Sequence, residues 1–482
     1  MSKYYVATSI PYVNGEPHLG HAMEFVMADV LARQARQNGD DVIFSTGSDE
    51  HGGKIAEKAA ELGLEPKALA DKMSARFSAL AKSLNISNDR FIRTTDPGHE
   101  QRAKLIWKAL AKDIYKSKYV GWYCTGDEEF FSEAHVKANN GICPDHNRPY
   151  DKIEEENYFF KLSKYTAPVL KAIESNELLI VPATKRNEIL SLLNGGLEDI
   201  SVSRPKDKIN WGIPVPGDNH QVMYVWFEAL MNYITVLGYP EHQDFKDFWP
   251  ADVQVIGKGI LRFHAAIWPA MLFALELPLP KLLYVHGYVT VDNKKMSKSL
   301  GNSVSPDDVI KKYGADPFRY YFLRHIPSYG DGDFSWETFD AAYNNELANE
   351  LGNAVQRTAA MVVKYQNGLI GDIPAPEHDI AQYQAAMAAC RFDRALDHVW
   401  EQVRGLNQYI DEEKPWTIAK TGDEDHLREV LAYLASNLLE IADLLEPFMP
   451  ATTLRIRNVF SEGIIRPIEG TLFPKQEILS EG

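Results

Sequence analysis

Residues 4–10 form a short apolar run, and residues 11–17 are rich in turn formers. An apolar stripe then begins at Leu19 and recurs at Met23, Val26, Met27, Val30 and Leu31. Steps of three and four predict a helix with one buried face, and Asn38-Gly39 marks its end. The pattern repeats downstream, with a strand at 41–46, helices at 55–62 and 69–84 and a short strand at 90–93. This alternation predicts one half of an α/β, doubly wound parallel sheet of Rossmann-like type. From about residue 120 the texture turns to aromatic-polar alternation with turns and cysteines, as expected of an inserted module. Strand and helix signals resume by 222–234 and continue through 253–256, and 281–290 reads as one apolar strand. Long periodic stretches at 341–365, 380–410 and 427–445 predict a C-terminal helical bundle, with a proline-rich break at 371–376. The expected organisation is a catalytic sheet in two halves, 1–117 and 209–342, an insertion at 118–208, and a helical domain at 343–482.

The turn-rich loop sits where a phosphate site belongs. A strand followed by a tight loop and a helix start leaves backbone N–H groups unpaired at the positive end of the helix dipole. His18 and His21 lie one turn apart at that start, and imidazole can donate to phosphate oxygens as charge builds on a leaving group. Gly20 removes a side chain where a nucleotide would approach the backbone. Far along the chain, Lys294, Lys295 and Lys298 surround Met296, Ser297 and Ser299 just beyond the apolar run 281–290. Such lysines project from the carboxyl end of a strand, the ligand edge of an open α/β sheet. Lys258, after the strand at 253–256, adds charge at the same edge.

The pairing of Pro17-His18-Leu19-Gly20-His21 with Lys295-Met296-Ser297-Lys298-Ser299 resembles class I aminoacyl-tRNA synthetases. The chain is most similar to the methionyl-tRNA synthetase family, through Ser9-Ile10-Pro11-Tyr12-Val13-Asn14-Gly15, Thr46-Gly47-Ser48-Asp49-Glu50-His51-Gly52, Tyr224-Val225-Trp226, Phe263-His264 with Trp268-Pro269-Ala270, and His286-Gly287-Tyr288-Val289 in that order. The resemblance implies a methionine–tRNA ligase that forms methionyl-adenylate and pyrophosphate from methionine and ATP with Mg2+, then loads tRNA(Met). It assigns His18, His21, Lys295 and Lys298 to catalysis, and Asn14, Gly20, Lys258, Val289 and Lys298 to ATP. Asp49 becomes the ligand of the methionine ammonium, while Ile10, Tyr12, Trp226, Leu230, Tyr233 and His264 surround the side chain. Where the family usually carries an acidic residue, this chain has Gly259. Competing readings are a class I synthetase for another amino acid, or an adenylate-forming nucleotidyltransferase with no RNA partner.

Two features concern RNA. Asn349, Asn353 and Arg357, at steps of four, form a polar stripe able to read bases, and Trp416 resembles the family's stacking platform for an anticodon base. Against them stands the composition: 67 Asp and Glu against 51 Lys and Arg, a net charge of −16. Phosphate-dominated binding favours positive charge, so a basic stripe along the C-terminal helices is expected despite the global sign. Three cysteines argue against a disulfide scaffold and for the cytoplasm, and no stretch approaches a membrane span. The sequence ends soon after Ile464-Ile465-Arg466-Pro467, without the extra C-terminal domain of some relatives, so a monomer is expected. In the insertion, Cys124-x-x-Asp127 and Cys143-x-x-His146 have ligand spacing, with Asp127 where single-zinc relatives usually carry a second thiolate. Zn2+ bound by Cys124, Asp127, Cys143 and His146, or a metal-free relic of such a knuckle, are the two expectations.

Overall fold

The computed structural model describes residues 1–482 except 125, 127–128, 132, 145–146, 293, 296–303, 371–372, 374–378, 461–463, 467, 469 and 476–482. It divides into two compact units: Met1–Pro17, Ala35–Lys82 and Ile86–Val285 form one, and His18–Gln34, Ser83–Asn85 and His286–Gly482 the other.

The first unit is built on a six-stranded sheet in the order Arg90–Arg93, Asp41–Ser48, Lys3–Thr8, Val253–Gly257, Leu282–His286, Leu179–Val181. Lys3–Thr8 pairs in parallel with both of its neighbours, with Val6 opposite Phe44 on one side and Val253 on the other. The strand order therefore reverses at Lys3–Thr8, which makes the carboxyl ends around it a topological switch point. The central strands are buried along nearly all of their length, as parallel strands covered on both faces must be. Tyr5, Tyr233 and Trp268 are fully buried in the core beside this sheet.

The strands Ile114–Cys124, which begins four residues ahead of the expected insertion, and Asp151–Phe160 form a long antiparallel pair, flanked by Glu129–Phe131 and Ile200–Ser201. The insertion also supplies Leu179–Val181, the edge strand that pairs with Leu282–His286.

In the second unit, Val289–Val291 pairs with Lys294–Lys295 and Gly332–Phe334 in a small sheet. The apolar run 281–290 is thus two strands in two different sheets. Gly287 separates them, because a Cβ there would lie 1.8 Å from the Gly330 carbonyl oxygen and the backbones can approach only without one. Most of the other described residues of this unit are helical. The expected helix at 341–365 includes a π-helical stretch, Tyr343–Gly352, ahead of Asn353–Gln366. The expected helix at 380–410 breaks into Ala381–Ala388 and Phe392–Glu413, with Cys390 in the left-handed region at φ 53°. Helix Glu424–Leu445 follows its predicted span closely. None of the helices among the described residues is long and apolar enough to cross a membrane.

Candidate active site

Three strands of the first unit end at one small cavity. Lys3–Thr8 leads into Ser9 and Ile10, Asp41–Ser48 into Asp49, and Val253–Gly257 into Ile260 and His264; Trp226, Ala229, Leu230, Asn232 and Tyr233 complete the lining. The switch point of the sheet thus brings five of the six expected methionine-side-chain residues and the expected ammonium ligand around one space. Tyr12 is the sixth, and it is not part of this lining. It pairs through its backbone with Asp49, and its hydroxyl donates to the His51 carbonyl at 2.5 Å. Asp49 N–H donates to the Pro11 carbonyl at 2.9 Å, so the two loops that carry Asp49 and Tyr12 are stitched together.

The lining is chemically divided. Asp49 is only 2% exposed, and most of the lining around it is aromatic or aliphatic, with Ser9, Asn232 and His264 as polar members. Asp49 Oδ1 accepts from Thr94 Oγ1 at 3.5 Å, and a buried carboxylate is a suitable counter-charge for a cationic group. On the other wall, Tyr233 and His264 join Oη to Nε2 at 2.8 Å, while His264 Nδ1 lies 2.9 Å from the Ile260 carbonyl oxygen. A carbonyl only accepts, so Nδ1 carries the proton and Nε2 of the neutral ring accepts from the tyrosine. Burial pushes the His264 pKa down to about 4. His264 sits on a single π-helical turn, Phe263–Ile267, a local widening that is frequent at functional sites. Phe263 in turn stacks on Trp226 at 4.1 Å between centroids.

The segment after Asp49 is held by side chains that sequence reasoning did not single out. Glu50 is fully buried and takes two bonds from Arg93, at 2.6 and 2.8 Å, and one from Ser48 Oγ at 2.6 Å. The Trp211 indole N–H donates to the Glu50 carbonyl at 2.5 Å. His51 reaches Glu228, a carboxylate inside the apolar stretch Val225-Trp226-Phe227-Glu228-Ala229-Leu230; one charge in such a run was the available signal. Lys258 occupies the short turn Lys258–Ile260 immediately beyond strand Val253–Gly257, and Asn14 is exposed on the first loop.

In the second unit, His18 and His21 stack with 3.5 Å between ring centroids at the start of helix Leu19–Gln37. Each backbone N–H faces the other ring's Nδ1, at 3.3 and 3.4 Å, a reciprocal arrangement like a capping box. Nδ1 as acceptor leaves Nε2 of each ring to carry the proton and act as donor. Crowding by protein atoms lowers the His18 pKa to about 4 and the His21 pKa well below its ordinary value. The solvent-open edge of His18 works against the first shift, yet two rings stacked this closely disfavour two cations in either case. Glu24 Oε2 and His286 Nε2 form a buried pair at 2.8 Å in the same unit. Gly20 is tightly placed, since a Cβ there would meet the His18 ring at 3.1 Å. Val289 is buried in the small sheet and Lys295 lies on its edge strand, whereas Lys298 falls outside the described residues.

Asn349 and Asn353 are exposed on successive helical segments, and Arg357 bonds Asp411 at 2.8 Å with its guanidinium 5.7 Å from the Trp416 ring. The stripe and the tryptophan therefore adjoin at Arg357. Arg391, Arg394, Arg428 and Arg457 also sit against carboxylates, so the basic stripe expected here is, at these positions, a row of ion pairs. Cys124 and Cys143 are buried with Val136 and Tyr150 in a small cluster, while the other two expected zinc ligands, Asp127 and His146, lie outside the described residues.

A family model described as tRNA synthetases class I (M) matches residues 4–155 and 146–359. A methionine–tRNA ligase of Thermotoga maritima is 42% identical over 470 residues, 94% of this chain and 74% of the relative. One of Brucella melitensis is 40% identical over 478 residues, 95% of this chain and 92% of the relative. Among solved structures, Mycobacterium tuberculosis methionyl-tRNA synthetase in complex with methionyl-adenylate superposes with a TM-score of 0.91 at 37% identity, covering 98% of this chain and 100% of that one. With the family model reaching across most of the length and relatives this similar over nearly all of it, the chain belongs to the methionine–tRNA ligases of the class I tRNA synthetases.

Proposed function

We propose that this enzyme binds methionine in the cavity beside Asp49, activates it with ATP, and transfers it to the 3′ end of tRNA(Met). The observation that carries the site assignment is one buried carboxylate, Asp49, opposite a wall of Trp226, Leu230, Tyr233 and His264 at the sheet's switch point. The ammonium pairs with Asp49, and the polarizable thioether packs on the aromatic and aliphatic wall, with Tyr12 bracing the Asp49 loop. In the first step an oxygen of the methionine carboxylate attacks the α-phosphorus of ATP, and the bond to pyrophosphate breaks with its electron pair leaving on pyrophosphate. No side chain forms a covalent bond, so positioning and charge stabilisation carry the rate. ATP arrives with its Mg2+ as substrate. His18 and His21 donate through Nε2 to phosphate oxygens, Lys295 and Lys298 neutralise charge on the departing pyrophosphate, and Asn14, Gly20, Lys258 and Val289 complete the nucleotide contacts. In the second step a ribose hydroxyl of the tRNA terminus attacks the adenylate carbonyl and AMP leaves. Asn349, Asn353, Arg357 and Trp416 read the anticodon. The low cysteine count supports a cytoplasmic setting.

Methionine-dependent ATP–pyrophosphate exchange tests this reading. Exchange with methionine, abolished or strongly weakened in Asp49→Ala, is the expected result. Exchange that responds instead to another amino acid would overturn it.

A further inference from the structure

Behind the cavity wall lies a buried cluster that touches none of the cavity space itself. The Glu228 carboxylate is fully buried, and each of its oxygens meets one imidazole nitrogen: Oε1 lies 2.8 Å from His51 Nδ1 and Oε2 lies 2.8 Å from His99 Nε2. His99 Nδ1 continues to Thr235 Oγ1 at 2.8 Å, and His51 Nε2 is 3.9 Å from Glu100. A carboxylate in the interior costs several kcal/mol unless both oxygens are satisfied, and an apolar side chain of the same volume would fill the space without that cost. What the charge adds is directionality.

The cluster joins the two sides of the methionine cavity. Glu228 lies on the short helix Val225–Ala229 between Trp226 and Leu230, and Thr235 ends the helix that carries Asn232 and Tyr233; these four neighbours all line the cavity. His51 is two residues beyond Asp49, and its carbonyl receives the Tyr12 hydroxyl. We infer that Glu228 is a positioning residue that, through His51 and His99, fixes the span between the Asp49 carboxylate and the wall formed by Trp226, Leu230 and Tyr233. Ammonium and side chain are then gripped at one separation, so an amino acid of a different reach engages one end or the other. The inference rests on the proposed methionine role of this cavity.

Glu228→Gln in the full chain tests it. Gln keeps the shape but presents one carbonyl oxygen and one N–H donor to two imidazole donors, so one strut is lost. In ATP–pyrophosphate exchange the methionine KM is expected to rise about tenfold or more while the ATP KM stays within about twofold, and the preference in kcat/KM for methionine over ethionine, which is one methylene longer, is expected to shrink about fivefold. A purely structural role would lower the active fraction and leave both KM values alone. An unaltered methionine KM, or an equal rise for both substrates, overturns the inference. If the Gln protein does not fold, His99→Gln is measured in its place, removing one strut without touching the cavity lining; an unaltered methionine KM there overturns the inference equally. Asp49→Asn is the reference. A raised methionine KM in Asp49→Asn beside an unaltered one in Glu228→Gln sinks this inference alone, whereas an unaltered KM in Asp49→Asn removes the cavity assignment beneath it.

Discussion

His264 is kept neutral by what its two nitrogens face. Nδ1 donates to a carbonyl that can only accept, and Nε2 accepts from the Tyr233 hydroxyl, so a second proton would have to reverse that bond in a buried place. The folded-state pKa of about 4 lies below the ordinary 6.5. Between those values the unfolded chain binds a proton that the folded chain does not, so this residue's contribution is complete above pH 6.5 and is lost as pH falls toward 4. The loss is on the order of 3 kcal/mol. His18 and His21 act with the same sign, so the decisive comparison is with His264→Gln. Urea unfolding at pH 7 and pH 4.5 is expected to show a smaller stability difference in the variant than in the parent protein, and an identical difference in both would refute the assignment. Asp49, Trp226, Tyr233 and His264 were legible because their motifs resemble a family. Glu228 with His51 and His99 was not, because the partners lie 177 and 129 positions apart and hydrogen bonds at such separations leave no local pattern.

Elements were legible where one face of a periodic run meets one partner. Helices Leu19–Gln37 and Glu424–Leu445 and strand Asp41–Ser48 follow from spacing alone. The failures have two causes. The run 281–290 splits at Gly287 because another backbone passes within contact distance, and the helix from 341 onward widens to a π-helical stretch that periodicity averages away. That stretch contains Asn349, while Asn353 opens the α-helical turns beyond it, so the polar stripe spans a change of helical pitch. Its far end, Arg357, leans toward Trp416 on the short helix Pro415–Thr421. Base stacking on an aromatic ring contributes about 1–3 kcal/mol. Trp416→Ala is therefore expected to lower kcat/KM for tRNA aminoacylation roughly tenfold or more. Methionine-dependent exchange in the same protein is expected to stay within about twofold of the parent; loss of both together would place Trp416 in the fold rather than in RNA recognition.

At the scale of the whole chain, its charge and its buried ionic groups carry different information. A net charge of −16 speaks against indiscriminate binding of nucleic acid, and the arginine–carboxylate pairs along the C-terminal helices are consistent with recognition that relies on stacking and base contacts more than on bare positive charge. Within the second unit, Arg319 is fully buried and holds Asp29 at 2.7 Å, the Phe448 and Pro447 carbonyls at 2.7 Å each, and the Leu84 carbonyl at 3.2 Å. One guanidinium thus fastens segments drawn from distant parts of the sequence. Arg319→Met leaves Asp29 with Arg33 at 2.7 Å but removes the donor to three buried carbonyls, and is expected to cost about 3–5 kcal/mol. Denaturant unfolding checks this, and a loss below about 1 kcal/mol would mean that the site relaxes or admits water. The sequence by itself determined the α/β class, the strand–loop–helix unit that opens the chain, the helical C-terminal part and the family, because turn chemistry, periodicity and contiguous motifs are local. Only the tertiary structure decided that Asp49 and His264 share a cavity, that Tyr12 braces its rim, that 281–290 serves two sheets, and that Glu228 ties the cavity walls. Each of those depends on which distant segments the parallel strand order sets side by side, and close approach and buried hydrogen bonding are properties of that arrangement.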